Sequence, residues 1–295
     1  MSWSGWSLPA VGRAMDRELV LAVLVVVCCG SALALAGWWP AGSSAAPSGR
    51  ARERRTWQRL WLPFWPAALV LAALCGWALV EPARAERVPG CLLWGAAPFA
   101  IVLLRAVWRA LWSLQPSHHD VPMATVGLLR PRIVLSPRMA AGLDERTLAA
   151  ALEHEQGHVR HRDPLRLWLG QLASDVLWPW PAAAARFLRW RRALELARDE
   201  EARLRGAAGA DLAAAVLAAL RFSNGAVSGN AAALGGDQSV VAERIAYLMR
   251  PLEAAGPDTS GSRWWWLAAA FGVGTAVLLG SEFGERVVRA LFAVL

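Results

Sequence analysis

Lysine is absent from the 295 residues; all 31 basic side chains are arginine. So uniform a choice looks like codon bias across a genome and carries no mechanism. Cysteine is scarce. Cys28, Cys29, Cys75 and Cys91 lie within or at the edge of apolar runs, without C-x-x-C spacing. They read as small core hydrophobes, which excludes a thiolate zinc site and a disulfide framework. Histidine occurs five times, and tyrosine once, at Tyr247. A strongly basic groove is missing as well. The net charge is +8, yet Ser113 to Arg263 holds 18 Arg against 16 Asp plus Glu, a net of +2. The Arg-rich stretch with Arg50, Arg52, Arg54, Arg55 and Arg59 has no interleaved base-stacking pattern. Direct nucleic-acid binding is therefore not expected, and the stretch reads as a loop that signals topology and touches anionic lipid.

Apolar sequence is what the chain has in excess. It is 56% hydrophobic, with a mean hydropathy of +0.33, too apolar for an ordinary soluble protein. Leu19 to Trp39 is an uncharged run, and Leu60 to Val80 is a second, with Pro63 and Pro66 in its first turns. Cys91 to Trp112 reads as a third span, with Arg105 and Arg109 snorkelling to one interface. Trp264 to Ser281 reads as a fourth, opened by three consecutive tryptophans that suit a membrane boundary. Runs of this length cross a hydrocarbon core of about 30 Å as helices. The Ala34-x-Ala36 pattern in the first run resembles a signal-peptide cleavage site, but the preceding residues carry no net positive charge, so the run reads as an anchor. The first loop holds five Arg, whereas in the second Arg84 and Arg87 are offset by Glu81 and Glu86. The positive-inside bias then puts the first loop and the segment after the third span in the cytoplasm, and both termini outside.

The segment 113–263 is long enough for one small domain and contains every histidine. Val121 to Leu135 predicts two short strands interrupted by Gly127 and Pro131. Asp144 is the expected N-cap of a helix bounded by Pro164. Further helices are expected over Leu165 to Trp178, Ala182 to Arg205, Asp211 to Phe222 and Val240 to Met249. The first of these reads as core packing with one edge at the membrane. Ser223 to Ser239, rich in Gly, Ala, Ser and Asn, reads as a mobile linker rather than a self-cleavage or gating segment. The expected fold is a mainly α membrane protein: four transmembrane helices (19–39, 60–80, 91–112, 264–281), with a small α+β zinc domain inserted between the third and fourth.

Inside the helix that Asp144 caps stands His154-Glu155-Gln156-Gly157-His158, an H-E-x-x-H motif. Positions four apart share a helix face, so two imidazoles can grip one Zn²⁺ while Glu155 stands by as general base. A catalytic zinc wants three protein ligands and one open position. His161 follows His158 too closely to wrap onto the same ion. Glu195 and Asp199, one turn apart on another helix, leave two readings open. One is a ligand with a residue that orients a ligand histidine; the other is a solvated charged face shared with Arg191, Arg192 and Arg198.

Three runs carry a resemblance. Ile133-Val134-Leu135-Ser136-Pro137, the H-E-x-x-H motif followed by His161-Arg162-Asp163, and Glu195-Leu196-Ala197-Arg198-Asp199-Glu200 resemble the BlaR/MecR-type membrane metallopeptidases. The wider gluzincin clan, with the HtpX-type proteases, shares the E-x-x-x-D spacing. The resemblance implies one Zn²⁺ per chain on His154, His158 and Glu195, with Glu155 as base and proton shuttle. It implies that Asp199 orients a ligand histidine; Arg244 or Tyr247, beside Glu243 and Ile245, either steadies an oxyanion or simply packs. It also implies a bacterial inner-membrane endopeptidase with a cytoplasmic zinc domain and a cytoplasmic protein substrate such as a transcriptional repressor. An edge strand such as Ile133 to Leu135 is expected to hold that substrate by strand addition. The sequence departs from the family after the fourth span, where Glu282 to Leu295 reads as a short amphipathic helix at the outer face, with Val287, Val288, Leu291, Phe292 and Leu295 on its apolar side. No penicillin-binding sensor is expected. Two other readings compete: an HtpX-like quality-control protease, disfavoured by His161-Arg162-Asp163 and by three spans before the motif, and a non-catalytic membrane scaffold with a structural zinc site.

Overall fold

Long apolar runs become helices because a buried or lipid-facing backbone must satisfy its own hydrogen bonds. In the computed structural model, which describes residues 13–15, 17–38, 48–80, 86–88, 90–113, 123–226 and 235–252, they form α1 (Arg17–Gly37), α3 (Phe64–Val80) and α4 (Gly90–Trp112). Val20–Gly37 and Trp94–Trp112 are each long and apolar enough to cross a membrane. A third span results if α2 (Gly49–Trp61) and α3 are counted as one bent span. The expected fourth span, the tail after it, His118 and His119 lie outside the described residues.

α1 packs against α3 and α4. At Gly30 a Cβ would stand 2.4 Å from the Phe99 ring, so only glycine permits that approach of α1 to α4. Two three-residue strands, β1 (Arg13–Met15) and β2 (Glu86–Val88), pair antiparallel and tie the start of α1 to the start of α4. Segments this short give no periodic signal, and the sequence does not announce them.

The Arg-rich stretch is not a loop but a helix. It is α2, capped by Ser48, whose hydroxyl accepts from the Ala51 amide at 3.2 Å. Pro63 ends it, having no amide proton to continue the ladder, and α3 leaves at 44°. α2 packs along α8 (Pro181–Leu204): Leu60 joins Phe187, Trp190 and Leu194 in a buried cluster flanked by Trp57 and Trp61. Leu60 and Trp190 are fully buried, each contributing about 2 kcal/mol by its apolar area.

Arg105 and Arg109 have a partner within the protein. Both pair with the buried Asp175 of α7 (Asp163–Val176), at 3.4 and 3.2 Å. Trp168 of α7 also donates its indole N–H to the Ala110 carbonyl of α4 at 3.1 Å. Helix α7 is therefore clasped between α4 and α8.

The remaining elements form as the local sequence dictates. β3 (Met123–Val126) and β4 (Arg132–Leu135) form an antiparallel hairpin with Met123 opposite Leu135 and Val126 opposite Arg132. Gly127, at φ 98°, opens the turn where a Cβ would meet the Arg130 carbonyl at 2.6 Å. A short helix, α5 (Pro137–Ala141), follows. Helix α6 (Glu145–Arg160) begins at Asp144, whose carboxylate accepts from the Thr147 amide at 2.9 Å and hydroxyl at 2.7 Å. Such a cap contributes about 1 kcal/mol. Helices α9 (Gly209–Ala226) and α10 (Gly235–Leu248) extend into the expected linker from both sides, leaving 227–234 outside the described residues. Ala150, Ala202, Leu212, Ala213 and Leu248 bring α6, α8, α9 and α10 to one buried cluster.

Candidate metal centre

The i, i+4 spacing places His154 and His158 on the buried face of α6, together with Thr147, Ala150, Ala151 and Gly157. α8 crosses behind that face and delivers Glu195 and Asp199, themselves one turn apart. The two imidazole Nε2 atoms stand 3.2 Å apart. Glu195 Oε2 is 3.5 Å from the Nε2 of His154, and Oε1 is 3.9 Å from that of His158. One ligand atom from each of the three residues lies within 4.8 Å of the others.

Both rings are held from behind. His154 Nδ1 donates to Asp199 Oδ1 at 2.8 Å, and His158 Nδ1 donates to Asp163 Oδ2 at 2.8 Å. With Nδ1–H committed to a carboxylate on each ring, both Nε2 lone pairs converge with Glu195. Two neutral imidazoles so arranged repel unless a cation lies between them. The donor set, two nitrogens and one carboxylate oxygen, is one that zinc favours, and the carboxylate behind each ring fixes the tautomer a metal ligand needs. The residues therefore fit the ion. In its absence the same carboxylates draw a proton instead: burial and the nearby Arg244 charge lower the affinity of His154 for a proton, but Asp199 and Glu195 outweigh them and raise its pKa to about 9.

Asp163 is the site residue that motif reading missed. It is fully buried at the start of α7. Arg162 precedes it in the left-handed region (φ 51°, ψ 44°), an uncommon conformation for a non-glycine residue that turns the chain sharply between α6 and α7 and points Asp163 back at His158. Arg198 grips both Asp163 oxygens, at 2.6 and 3.2 Å, and Arg166 adds a contact at 3.1 Å. Burial alone would raise the Asp163 pKa; the His158 and Arg198 hydrogen bonds and the Arg198 charge hold it at about 2. In the sequence it stood only within the His161-Arg162-Asp163 run that follows the motif, with no role attached to it. Arg198 also explains Gly157, where a Cβ would press on Arg198 Cδ at 3.0 Å.

Glu155 faces the hairpin. Thr125 Oγ1 of β3 lies 2.7 Å from Glu155 Oε2 and 3.1 Å from the Glu155 carbonyl. Arg244 of α10 enters from the other side. It pairs with both Asp199 oxygens at 2.6 and 2.8 Å and with Glu195 Oε2 at 3.1 Å. Burial would raise the Glu195 pKa, but Arg244 and the two histidines hold it well below the ordinary carboxylate range. Tyr247 is not brought to this cluster. Its hydroxyl donates to Glu200 at 2.8 Å and accepts from the Gly49 amide at 3.0 Å. His161 is also apart, 2.9 Å from Glu201.

The centre opens on a cavity of about 430 Å³. His154, Glu155, His158, Glu195 and Arg244 line its polar side, and Leu167, Leu212, Val216 and Val241 are among the apolar residues opposite. The strand at its wall is β3, through Met123, Ala124 and Thr125, not the expected Ile133 to Leu135 of β4. The hairpin register decides this: β3 carries Thr125 to Glu155, and β4 pairs with β3.

Comparison with known proteins finds no match among curated proteins and none among solved structures. The BlaR1 peptidase M56 family matches residues 103–248, from the middle of α4 to the end of α10. That stretch contains every residue of the His–His–Glu cluster and every partner behind it, and over it the chain is similar to the BlaR1 peptidase M56 family, consistent with a BlaR/MecR-type metallopeptidase.

Proposed function

We propose that this chain is a zinc-dependent endopeptidase of the bacterial inner membrane that cleaves a cytoplasmic protein, such as a transcriptional repressor, in regulated proteolysis. The observation that carries the reading is the pair of opposed Nε2 atoms, each imidazole fixed from behind by a buried carboxylate, converging on Glu195. His154, His158 and Glu195 would hold the metal. When bound, zinc supplies a Lewis acid for a peptide carbonyl and acidifies a water.

The chain's own residues do the rest. Glu155, held by Thr125, takes the proton from the attacking water and returns it to the leaving amine. Asp199 and Asp163 hold the ligand tautomers. Arg244 keeps Glu195 and Asp199 ionised, and its place at the cavity supports a part in balancing charge on an oxyanion. Substrate backbone lying along β3 would bring its carbonyl to the cluster by strand addition, and the apolar wall would take a side chain. The five Arg of α2, against the balanced loop between α3 and α4, support a cytoplasmic domain with both termini outside.

Replacing Glu155 with Gln in the full chain tests the reading. Cleavage of an added unstructured protein is expected to vanish while bound zinc stays near one per chain; undiminished cleavage overturns the mechanism, and a wild-type chain that takes up no zinc overturns the metal assignment.

A further inference from the structure

Helix α2 lines no part of the cavity, yet it touches the surroundings of the metal centre at three points. The Gly49 and Arg50 amides donate to Glu200 Oε2 at 2.5 and 3.2 Å, next in sequence to Asp199. Arg52 pairs with Glu243 at 2.9 Å, next to Arg244. The third contact is an unbroken line of side chains. Glu53 accepts from Arg166 and, at 3.2 Å, from the Trp190 indole N–H. Arg166 donates to Asp163 Oδ1 at 3.1 Å, and Asp163 accepts from His158 Nδ1 at 2.8 Å.

This line is well enclosed. The Arg166 guanidinium lies over the Trp57 ring at 4.8 Å and the Trp190 ring at 5.6 Å. The Glu53 side chain is 14% exposed and that of Asp163 is 0%. Charges so placed are weakly screened. Glu53 and Asp163 share the one positive charge of Arg166. If Glu53 loses its charge, Arg166 is balanced by Asp163 alone and pulls on Oδ1 of that carboxylate, which Arg198 also holds, turning Oδ2 away from His158 Nδ1. The imidazole is then less firmly oriented, and its Nε2 is a poorer donor to a metal.

We propose that Glu53 is a positioning residue of the metal centre, acting through Arg166 and Asp163 on His158. Through it, the seating of α2 against α7 and α8 sets the affinity of the centre for zinc. α2 joins the apolar helix α3 across two residues, so a shift of that helix reaches Glu53 directly. The inference rests on the zinc reading of the site and is independent of peptidase activity.

The test is zinc affinity of the full chain in detergent micelles, read by competition with a chromophoric chelator, alongside the Tm of the metal-free protein. Wild-type protein that binds no zinc would overturn the zinc reading itself and this inference with it. With wild-type binding established, E53Q is expected to weaken zinc about ten-fold, the lower end of losses typical for partners behind a metal ligand, with little change in the metal-free Tm. In the D163N background the same change is expected to cost nothing further, because the line is already cut. Wild-type affinity in E53Q, or equal losses in the presence and absence of Asp163, overturns the proposal. If E53Q does not yield folded protein, E53D withdraws the carboxylate by one methylene and is expected to weaken zinc in the same direction; unchanged affinity there overturns it equally.

Discussion

The hydroxyl of Thr125 on β3 stands 2.7 Å from the carboxylate of Glu155 on α6. A strand thus steadies the helix residue that the proposed mechanism asks to move a proton. Replacing Thr125 with Val keeps shape and branching and removes the donor. Turnover is expected to fall about ten-fold with KM little changed, since positioning of a base acts in the transition state, and T125S is expected to restore most of it. A loss confined to KM would assign Thr125 to substrate binding instead.

Asp163 and Asp199 fix the tautomers of His158 and His154 from opposite sides. D163N and D199N are each expected to weaken zinc binding about 10- to 100-fold. Chelator competition measures this without any substrate. If either variant holds zinc as tightly as the wild type, that carboxylate does not orient its imidazole.

Gly157 presents an opposed pair of effects. Alanine favours a helix interior over glycine by about 1 kcal/mol. Here its Cβ would stand 3.0 Å from Arg198 Cδ, and Arg198 is pinned to Asp163 and, at 3.0 Å, to Glu201. The guanidinium cannot retreat without releasing Asp163. G157A is therefore expected to lower both Tm and zinc affinity; a raised Tm with zinc affinity intact would show that Arg198 yields freely.

Tyr247 allows a direct titration, because it is the only tyrosine in the chain. Burial, then the hydrogen bond to Glu200 and its charge, push its pKa up to about 12. The unfolded reference is about 10, so the folded pKa is the higher. The stabilisation is then fully present below pH ~10 and is lost as pH rises through about 12. Tyrosinate absorbance is expected to rise with a midpoint near 12, and to shift downward in E200Q. A midpoint at the unperturbed value would mean that Tyr247 does not bridge α10 to the start of α2.

How much of this was legible depended on the range of the interaction. The two motif histidines, the Asp144 cap, and the hairpin broken at Gly127 and Pro131 are all local. Each follows from helix or turn geometry within a few residues, and each stands where the sequence places it. The shared face of Glu195 and Asp199 was equally legible, although its partner was not. What the reading missed was set by contacts across long stretches of chain. Nothing local announced that Arg105 and Arg109 would meet Asp175, some seventy positions on. The Arg-rich stretch looked like a loop until α8 covered it.

By itself, then, the sequence determined the residue types of the candidate metal cluster, their spacing on two helices and the apolar character of the candidate spans, because side-chain periodicity along a helix follows from the backbone alone. Only the tertiary structure decided which carboxylate stands behind which histidine, which strand faces Glu155, and that α2 reaches the centre through Glu53. Those relationships depend on how helices pack and on a single left-handed residue, Arg162, neither of which leaves a periodic trace in the sequence.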